Sequence, residues 1–351
     1  MACVSGHATV SKVLRDRRMG RAIPAELAPI QDPATAAFDA IEIHSMLELE
    51  APDHPRLRGL VLRAFTSRQI AALAEGIRAL CHDLVDRFPA GAFDLLDAYA
   101  RPVPVITIAR LLGVPEDAAA DLLRWSNAMV AMYQARLTPE IKAEAEQATL
   151  DFTAFLTAHI TDKRKSPADD LISKLIAAEA EGQKLNGPEL ISTCILLLNA
   201  GHEATVHTLG NGVKAMLETG VQRSDPAAIE EIMRFDPPLH MFTRWVYEDL
   251  EVGGVALKRG DRIACLLGAA NRDERIYKHP ERFDPDRSGP PHVAFGGGVH
   301  FCVGAPLARL ELQIALEVLW QRCPKLRLVE TPNYGDVYHF HGLESLTVRS
   351  R

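Results

Sequence analysis

The cysteine at position 302 lies in a segment whose composition suits metal chemistry. Residues 295–304 read FGGGVHFCVG, and a helical pattern begins directly after them, at about Ala305. Backbone N–H groups at the start of a helix favour the thiolate, which is the form of cysteine that binds metals. Glycines remove side chains where the backbone must approach a large flat group. The alternatives are a glycine-rich turn around a buried cysteine and a zinc site using His300 and Cys302, although zinc would need a second closely spaced ligand pair.

Three further groups have residue types and spacings that suit chemistry. Glu231 and Arg234 are three apart in a helical pattern and therefore share a helix face. His54 and Arg58 are four apart in a second helical pattern, and residues 200–205 read AGHEAT within a long apolar one. Each group also has a simpler interpretation, namely a surface ion pair of little value, a solvated helix face and an ordinary buried helix.

The cysteine segment resembles the signature of the cytochrome P450 family, F-x-x-G-x-H-x-C-x-G. Every fixed position of the signature is matched, from Phe295 to Gly304. The resemblance implies a mainly α protein with the cytochrome P450 fold, in which a helical domain carries a small β region and a long central I helix. It implies haem b (iron protoporphyrin IX) as cofactor, with Cys302 as the axial ligand of the iron and Phe295, Gly296 and Gly304 shaping the loop beside the haem.

The resemblance also assigns a structural role to the first pair. Family members carry an E-x-x-R motif whose two residues form a buried triad with a second arginine from a PERF-like stretch. Here Glu231 and Arg234 match the motif, and residues 280–283 read PERF. We therefore expect Arg282 to complete the triad, because planar arginines suit bidentate pairing.

Four residues from distant segments are expected to bind the two haem propionates. The resemblance assigns this role to His54, Arg58, Arg244 and His300. Cationic and dipolar groups of this kind would neutralise two carboxylates.

The stretch AGHEAT resembles the oxygen-binding part of the family's I helix but departs from it at one position. Gly201 would let the helix approach the iron, and Glu203 matches the acid of the family's acid–alcohol pair. The alcohol position is occupied by Ala204, and Thr205 is the next residue, about 100° further round the helix. We expect water or Thr205 to replace the usual proton relay; the alternative for Thr205 is a hydroxyl that bonds only its own backbone.

The elements that must position these residues are mostly helices. Apolar periodicity predicts helices over residues 68–87, 139–163, 188–220 and 305–323. Thr138 followed by Pro139, and Asp225 followed by Pro226, are typical of helix N-termini. Alternation over residues 242–267 predicts a small β region. With no internal repeat, residues 1–351 are expected to form one domain, N-terminally short because the family's first helix and first strands are not recognised.

Composition limits the remaining choices. The net charge of −7 argues against general nucleic-acid binding. No apolar run reaches the roughly 18 residues of a membrane helix, so we expect no membrane anchor. The six cysteines form no C-x-x-C pair, which favours reduced thiols and a cytoplasmic location.

The function implied by the resemblance is a bacterial-type haem-thiolate monooxygenase. It would insert one oxygen atom from O2 into a lipophilic small molecule, with electrons from a ferredoxin and a ferredoxin reductase. Arg56, Arg63 and Arg309 are candidates for attracting an acidic partner. The alternatives are a haem-binding protein without turnover and a peroxide-driven oxygenase, which would tolerate the missing alcohol.

Overall fold

The secondary structure is dominated by helices. The computed structural model describes residues 1–134, 136–180, 185–336 and 340–350. The helices are α1 His7–Val13, α2 Ala36–Glu42, α3 Asp53–Ala64, α4 Ser67–Ala72, α5 Ala74–Asp86, α6 Pro102–Leu112, α7 Ala119–Val130, α8 Pro139–Lys165, α9 Leu171–Ala180, α10 Gly187–Thr219, α11 Pro226–Phe235, α12 Leu267–Ala270 and α13 Ala305–Arg322. The strands are β1 Ala2–Val4, β2 Met19–Gly20, β3 Ala92–Asp94, β4 Met241–Val246, β5 Leu250–Val252, β6 Val255–Leu257, β7 Arg262–Leu266, β8 Arg327–Leu328 and β9 Thr347–Arg349.

Helix starts follow the predicted capping signals. The Thr138 hydroxyl accepts a hydrogen bond from the Ile141 N–H at 3.3 Å, and Pro139 occupies the first turn of α8. The Asp225 carboxylate accepts from two N–H groups of α11 in the same way. A side chain that satisfies these otherwise unpaired donors fixes where a helix begins. The predicted helix over residues 68–87 is wrong in one respect, because α4 and α5 are separate helices.

The strands form three sheets within the described residues. The largest has the order β1-β7-β4-β2, with β1 parallel to β7 and with β4 antiparallel to β7 and β2. The others are a β3-β9-β8 sheet and a β5-β6 hairpin. The predicted β region over residues 242–267 is therefore confirmed, and it is extended by β1 and β2.

The chain divides into two compact units. The first contains residues 1–20, 71–104 and 203–351, and the second contains residues 21–70 and 105–202. The first unit holds all three sheets, and its core includes Val10, Leu14, Val246, Ile263 and Leu267, which are at most 4% exposed. The second unit is helical, and α7 packs on α8 there through Trp125, whose ring centre lies 5.4 Å from that of Phe152. The prediction of a single domain over residues 1–351 stays a prediction.

None of the helices in the described ranges combines the length and the apolar character that crossing a bilayer requires.

Candidate active site

The loop before α13 is a tight turn that places Cys302 close to the helix start. The Cys302 N–H donates to the Phe295 carbonyl at 3.0 Å, which closes the loop on itself. Gly296 and Gly298 have φ values of 73° and 68°, in the left-handed region that favours glycine. Gly304 is the N-cap of α13, so the Cys302 side chain lies close to the first unpaired N–H groups of that helix.

Packing within the first unit also requires glycine in this loop. A Cβ atom at Gly298 would lie 2.6 Å from the Leu14 carbonyl oxygen at the end of α1. At Gly304, by contrast, a Cβ would lie 3.9 Å from the Cys302 Sγ, which is ordinary van der Waals contact. The glycine at position 298 is therefore explained by contact with α1, which sequence reasoning did not foresee.

Burial separates Cys302 from the other cysteines. Cys302 is half-buried and Cys3 is exposed, whereas the buried thiols are Cys81, Cys194, Cys265 and Cys323. Burial raises the pKa of the Cys81 and Cys265 thiols to about 11 and that of Cys194 to about 12. These three thiols therefore resist the deprotonation that metal binding requires.

Arg309 extends from α13 into a cluster beside the cysteine loop. Its guanidinium carbon lies 4.7 Å from the centre of the Phe295 ring, and its Nε donates to the Glu230 carboxylate at 2.6 Å. Hydrogen bonding to Glu230 is the largest cause that raises the pKa of Arg309, and the charge of Cys302 adds to it.

Glu230 is the acidic member of this cluster. Burial alone would raise its pKa, but the adjacent His292 and Arg309 lower the pKa to about 2. Because the folded state favours the charged carboxylate, its contribution to stability is present above the ordinary pKa of 4.5 and is lost as the pH falls from there towards 2.

We expect Glu230→Gln to lower stability at neutral pH and to lower it by less near pH 3, where part of the carboxylate's contribution has already been lost. The loss at pH 7 should be about 1 kcal/mol or less, because the Glu230 side chain is 41% exposed and solvent screens the pair. Unfolding midpoints of wild type and variant at the two pH values measure this difference. A stability gap that is as large at pH 3 as at pH 7 would show that the carboxylate charge is not its source.

Glu231 and Arg234 form a buried bidentate pair on α11. The Arg234 Nε and Nη2 donate to the two carboxylate oxygens at 2.7 and 2.8 Å, and both side chains are 4% exposed. Arg234 also donates to the carbonyls of Asn271 and Pro280 at 3.0 and 2.9 Å and to that of Arg282 at 3.1 Å. The pair therefore fixes the chain segment that leads towards the cysteine loop.

The prediction that Arg282 is the third member of the triad is wrong. Its side chain is 72% exposed, and its Nε lies 3.7 Å from Glu281. The third member is Arg287, whose side chain is 7% exposed and whose Nε donates to Glu231 at 3.4 Å. Arg287 also donates to the Arg282 carbonyl at 2.7 Å, so the structure uses the backbone of Arg282 and not its guanidinium.

The predicted propionate-binding residues are divided between the two units. Arg244 on β4 belongs to the first unit with Cys302; it is 3% exposed, and its Nη1 donates to the Thr243 carbonyl at 2.9 Å. His300 lies in the short 3-10 turn just before the cysteine. His54 and Arg58 lie on α3 in the second unit, where His54 is 2% exposed and Arg58 is half-buried.

The AGHEAT stretch is part of α10. At Gly201 a Cβ would lie 3.3 Å from Ile108 Cδ1, so the glycine permits close packing on α6 within the second unit. In the first unit Glu203 accepts a hydrogen bond from His207 Nε2 at 3.1 Å, and Thr205 is 5% exposed. The sequence analysis did not single out His207, although a histidine four residues after Glu203 on a helix predicts a contact between the two side chains.

Comparisons with known proteins agree with this geometry. The family model for cytochrome P450 matches residues 226–330. Cytochrome P450 107B1 of Saccharopolyspora erythraea is 40% identical over 317 residues, which is 87% of this chain and 76% of that protein. The cytochrome P450 monooxygenase PikC of Streptomyces venezuelae is 35% identical over 99% of this chain and 85% of its own length. A crystal structure of P450BioI with a hexadec-9Z-enoic acid-ligated acyl carrier protein has a TM-score of 0.93 at 33% identity and covers 99% of this chain and 92% of that one. The chain thus belongs to the cytochrome P450 family, with its fold, and is a monooxygenase that uses haem b.

Proposed function

We propose that this monooxygenase inserts one oxygen atom from O2 into a lipophilic small molecule, with Cys302 as the axial ligand of the haem iron. The observation that carries the assignment is the half-buried thiol of Cys302 in a closed glycine loop at the start of α13. When bound, haem b activates oxygen, and a thiolate ligand favours cleavage of the O–O bond. The half-buried Cys302 side chain, two residues before the N-cap of α13, fits that ligand role.

Residue type and burial support the proposed propionate contacts. Arg244 is almost fully buried on β4 and His54 is almost fully buried on α3. A guanidinium is always charged and pairs with carboxylates in a planar, bidentate geometry, so Arg244 suits an anionic group of the cofactor. We propose Arg244 and His300 of the first unit as residues that hold a propionate, and the same role for His54 and Arg58 of the second unit stays a prediction from the sequence.

Proton delivery is the point at which this chain departs from its family. We propose Glu203 as the acid and Gly201, two residues before it on the same helix, as the point at which the helix approaches the iron. Ala204 has no hydroxyl, so Thr205 or water must hold the proton next to Glu203. The Thr208 hydroxyl does not take over this position, because it donates to the Ala204 carbonyl at 2.7 Å.

The proposed electron source is a ferredoxin with its ferredoxin reductase. Two of the three arginines considered for docking are already paired, since Arg56 donates to Glu189 and Arg309 donates to Glu230. Pairing cancels most of the charge that would attract an acidic partner. Arg63 is exposed on α3 and is the strongest remaining candidate of the three.

Relatives support an apolar substrate class. The P450BioI structure holds an acyl carrier protein that carries a C16 unsaturated fatty acid, and the structure of myxobacterial CYP267B1 holds myristic acid. Those ligands belong to those proteins, and their shared chemistry is a long apolar hydrocarbon tail.

A peroxide-driven reaction is the second candidate for this protein, because Ala204 lacks the alcohol that only the O2-dependent route needs.

We expect Ala204→Thr and Thr205→Ala to distinguish these routes. If the native relay is defective, Ala204→Thr should raise the product formed per electron consumed several-fold, because a restored hydroxyl directs electrons into product instead of peroxide. If Thr205 carries the proton, Thr205→Ala should lower that ratio and Ala204→Thr should not raise it. The measurement uses a substrate found by screening lipophilic compounds for a change in the haem spectrum. Unchanged ratios in both variants would contradict a role for either hydroxyl.

A further inference from the structure

A carboxylate–imidazole pair lies on α10 at the proposed proton-delivering acid. The His207 Nε2 is 3.1 Å from the Glu203 Oε1, and the two side chains are 15% and 22% exposed. A carboxyl oxygen that carries no proton can only accept, so the Nε2 must carry the hydrogen and donate to Oε1, which leaves the other oxygen of Glu203 to hold the proton that it delivers. This bond engages one oxygen of the carboxylate and restricts the rotation of a side chain that has several rotamers.

The His207 ring is held by the C-terminal tail as well as by Glu203. A Cβ at Gly342 would overlap the His207 Nδ1, so only glycine allows the ring to occupy this place. The Phe340 ring also contacts the His207 ring, with ring centres 5.7 Å apart and the planes inclined by 35°. The Nδ1 atom is buried and has no hydrogen-bond partner among the residues that the structure describes.

This arrangement favours one tautomer and one orientation of the imidazole. Because Nδ1 faces a buried space without an acceptor among the described residues, protonation there would bury an unsatisfied N–H, which is costly. The Nε2 proton is therefore the one the ring keeps, and it points at Glu203. The ring thus leaves Nδ1 without a hydrogen bond among the described residues and directs the Nε2–H at Glu203. This contact restricts the orientation of the Glu203 carboxylate.

We infer that His207 is a positioning residue for Glu203 and fixes the carboxylate orientation from which Glu203 delivers its proton. The inference rests on the proposed function of Glu203 as the acid. Gly342 is part of the same arrangement, because its missing side chain leaves the space that the His207 ring occupies. His207 itself transfers no proton in this scheme, since a neutral imidazole that gave up its Nε2 proton would be left as an anion.

The first test is independent of turnover. In the reduced, carbon monoxide-bound holoenzyme labelled with ¹⁵N-histidine, the His207 ring should give an Nε2–H signal protected from solvent exchange. His207→Asn identifies the signal by removing it. Glu203→Ala should accelerate its exchange at least about tenfold, because the acceptor is gone. An exchange rate that Glu203→Ala leaves unchanged would overturn the inference.

The second test asks whether the pair affects proton delivery. Peroxide released per electron consumed is measured with a plant-type ferredoxin and its reductase supplying the electrons. His207→Asn, whose amide is too short to reach Glu203, should raise this ratio several-fold, and Gly342→Ala should do the same by displacing the ring. His207→Gln, which has a longer amide donor, should restore the wild-type ratio at least in part. His279→Asn removes an exposed histidine and is the matched control, with no change expected.

The two proposals fail in different ways. A His207→Asn protein with a normal haem spectrum and an unchanged peroxide ratio overturns the positioning role while the proposed function stands. If instead the wild type lacks the spectrum of a thiolate-ligated haem, the proposed function fails, and the exchange measurement still reports on the Glu203–His207 pair.

Discussion

Arg234→Ala is expected to destabilise the protein by about 3–5 kcal/mol and to leave little haem-loaded material. The substitution removes the bidentate partner of Glu231 and leaves that carboxylate buried at 4% exposure. Glu231 would keep only its longer contact to Arg287 and the Asp284 N–H, and breaking a buried pair from one side typically has this magnitude. The backbone carbonyls of Asn271 and Pro280 also lose the Arg234 donor, whereas the Arg282 carbonyl keeps its bond from Arg287. Denaturant unfolding and the haem content of the purified protein measure the effect.

The two arginines near this pair provide matched controls. Arg287→Ala should also be clearly destabilising, because Arg287 donates to Glu231 and its side chain is 7% exposed. Arg282→Ala should stay within about 0.5 kcal/mol of wild type, as is usual for an exposed side chain. Equal damage from Arg282→Ala and Arg287→Ala would contradict the assignment of Arg287 as the third member. Full haem content and normal stability in Arg234→Ala would contradict the triad itself.

Features with local causes were the ones that the sequence predicted well. The start of α8 follows from Thr138 and Pro139, whose capping role depends only on the next few residues. The long α10 follows from an apolar pattern that continues through many turns. The pairing of Glu231 with Arg234 follows from a three-residue spacing on a helix. In each case the contacting residues are close in sequence, so the sequence pattern alone predicts the contact.

Features that depend on distant contacts were missed. The stretch PERFDPDR contains two arginines, and nothing in their spacing from Glu231 says which one turns inward; the chain path between residues 282 and 287 decides it. The fit of His207 against Gly342 joins α10 to the tail, across more than a hundred residues. The strands β1 and β2 are too short for an alternating pattern and exist because β7 and β4 pair with them.

The most direct test of the proposed cysteine assignment is the absorption spectrum of the reduced, carbon monoxide-bound protein. A thiolate on the iron shifts the main band of this complex to longer wavelength. We predict that wild type shows the shifted band and that Cys302→Ser loses it completely, because a serine hydroxyl is not a thiolate donor. Cys3→Ser is the control with an exposed thiol, and Cys323→Ser is the control with a buried one. Both should keep the band. If the shifted band survives in Cys302→Ser, Cys302 is not the haem ligand, and the proposed role of the loop before α13 is contradicted.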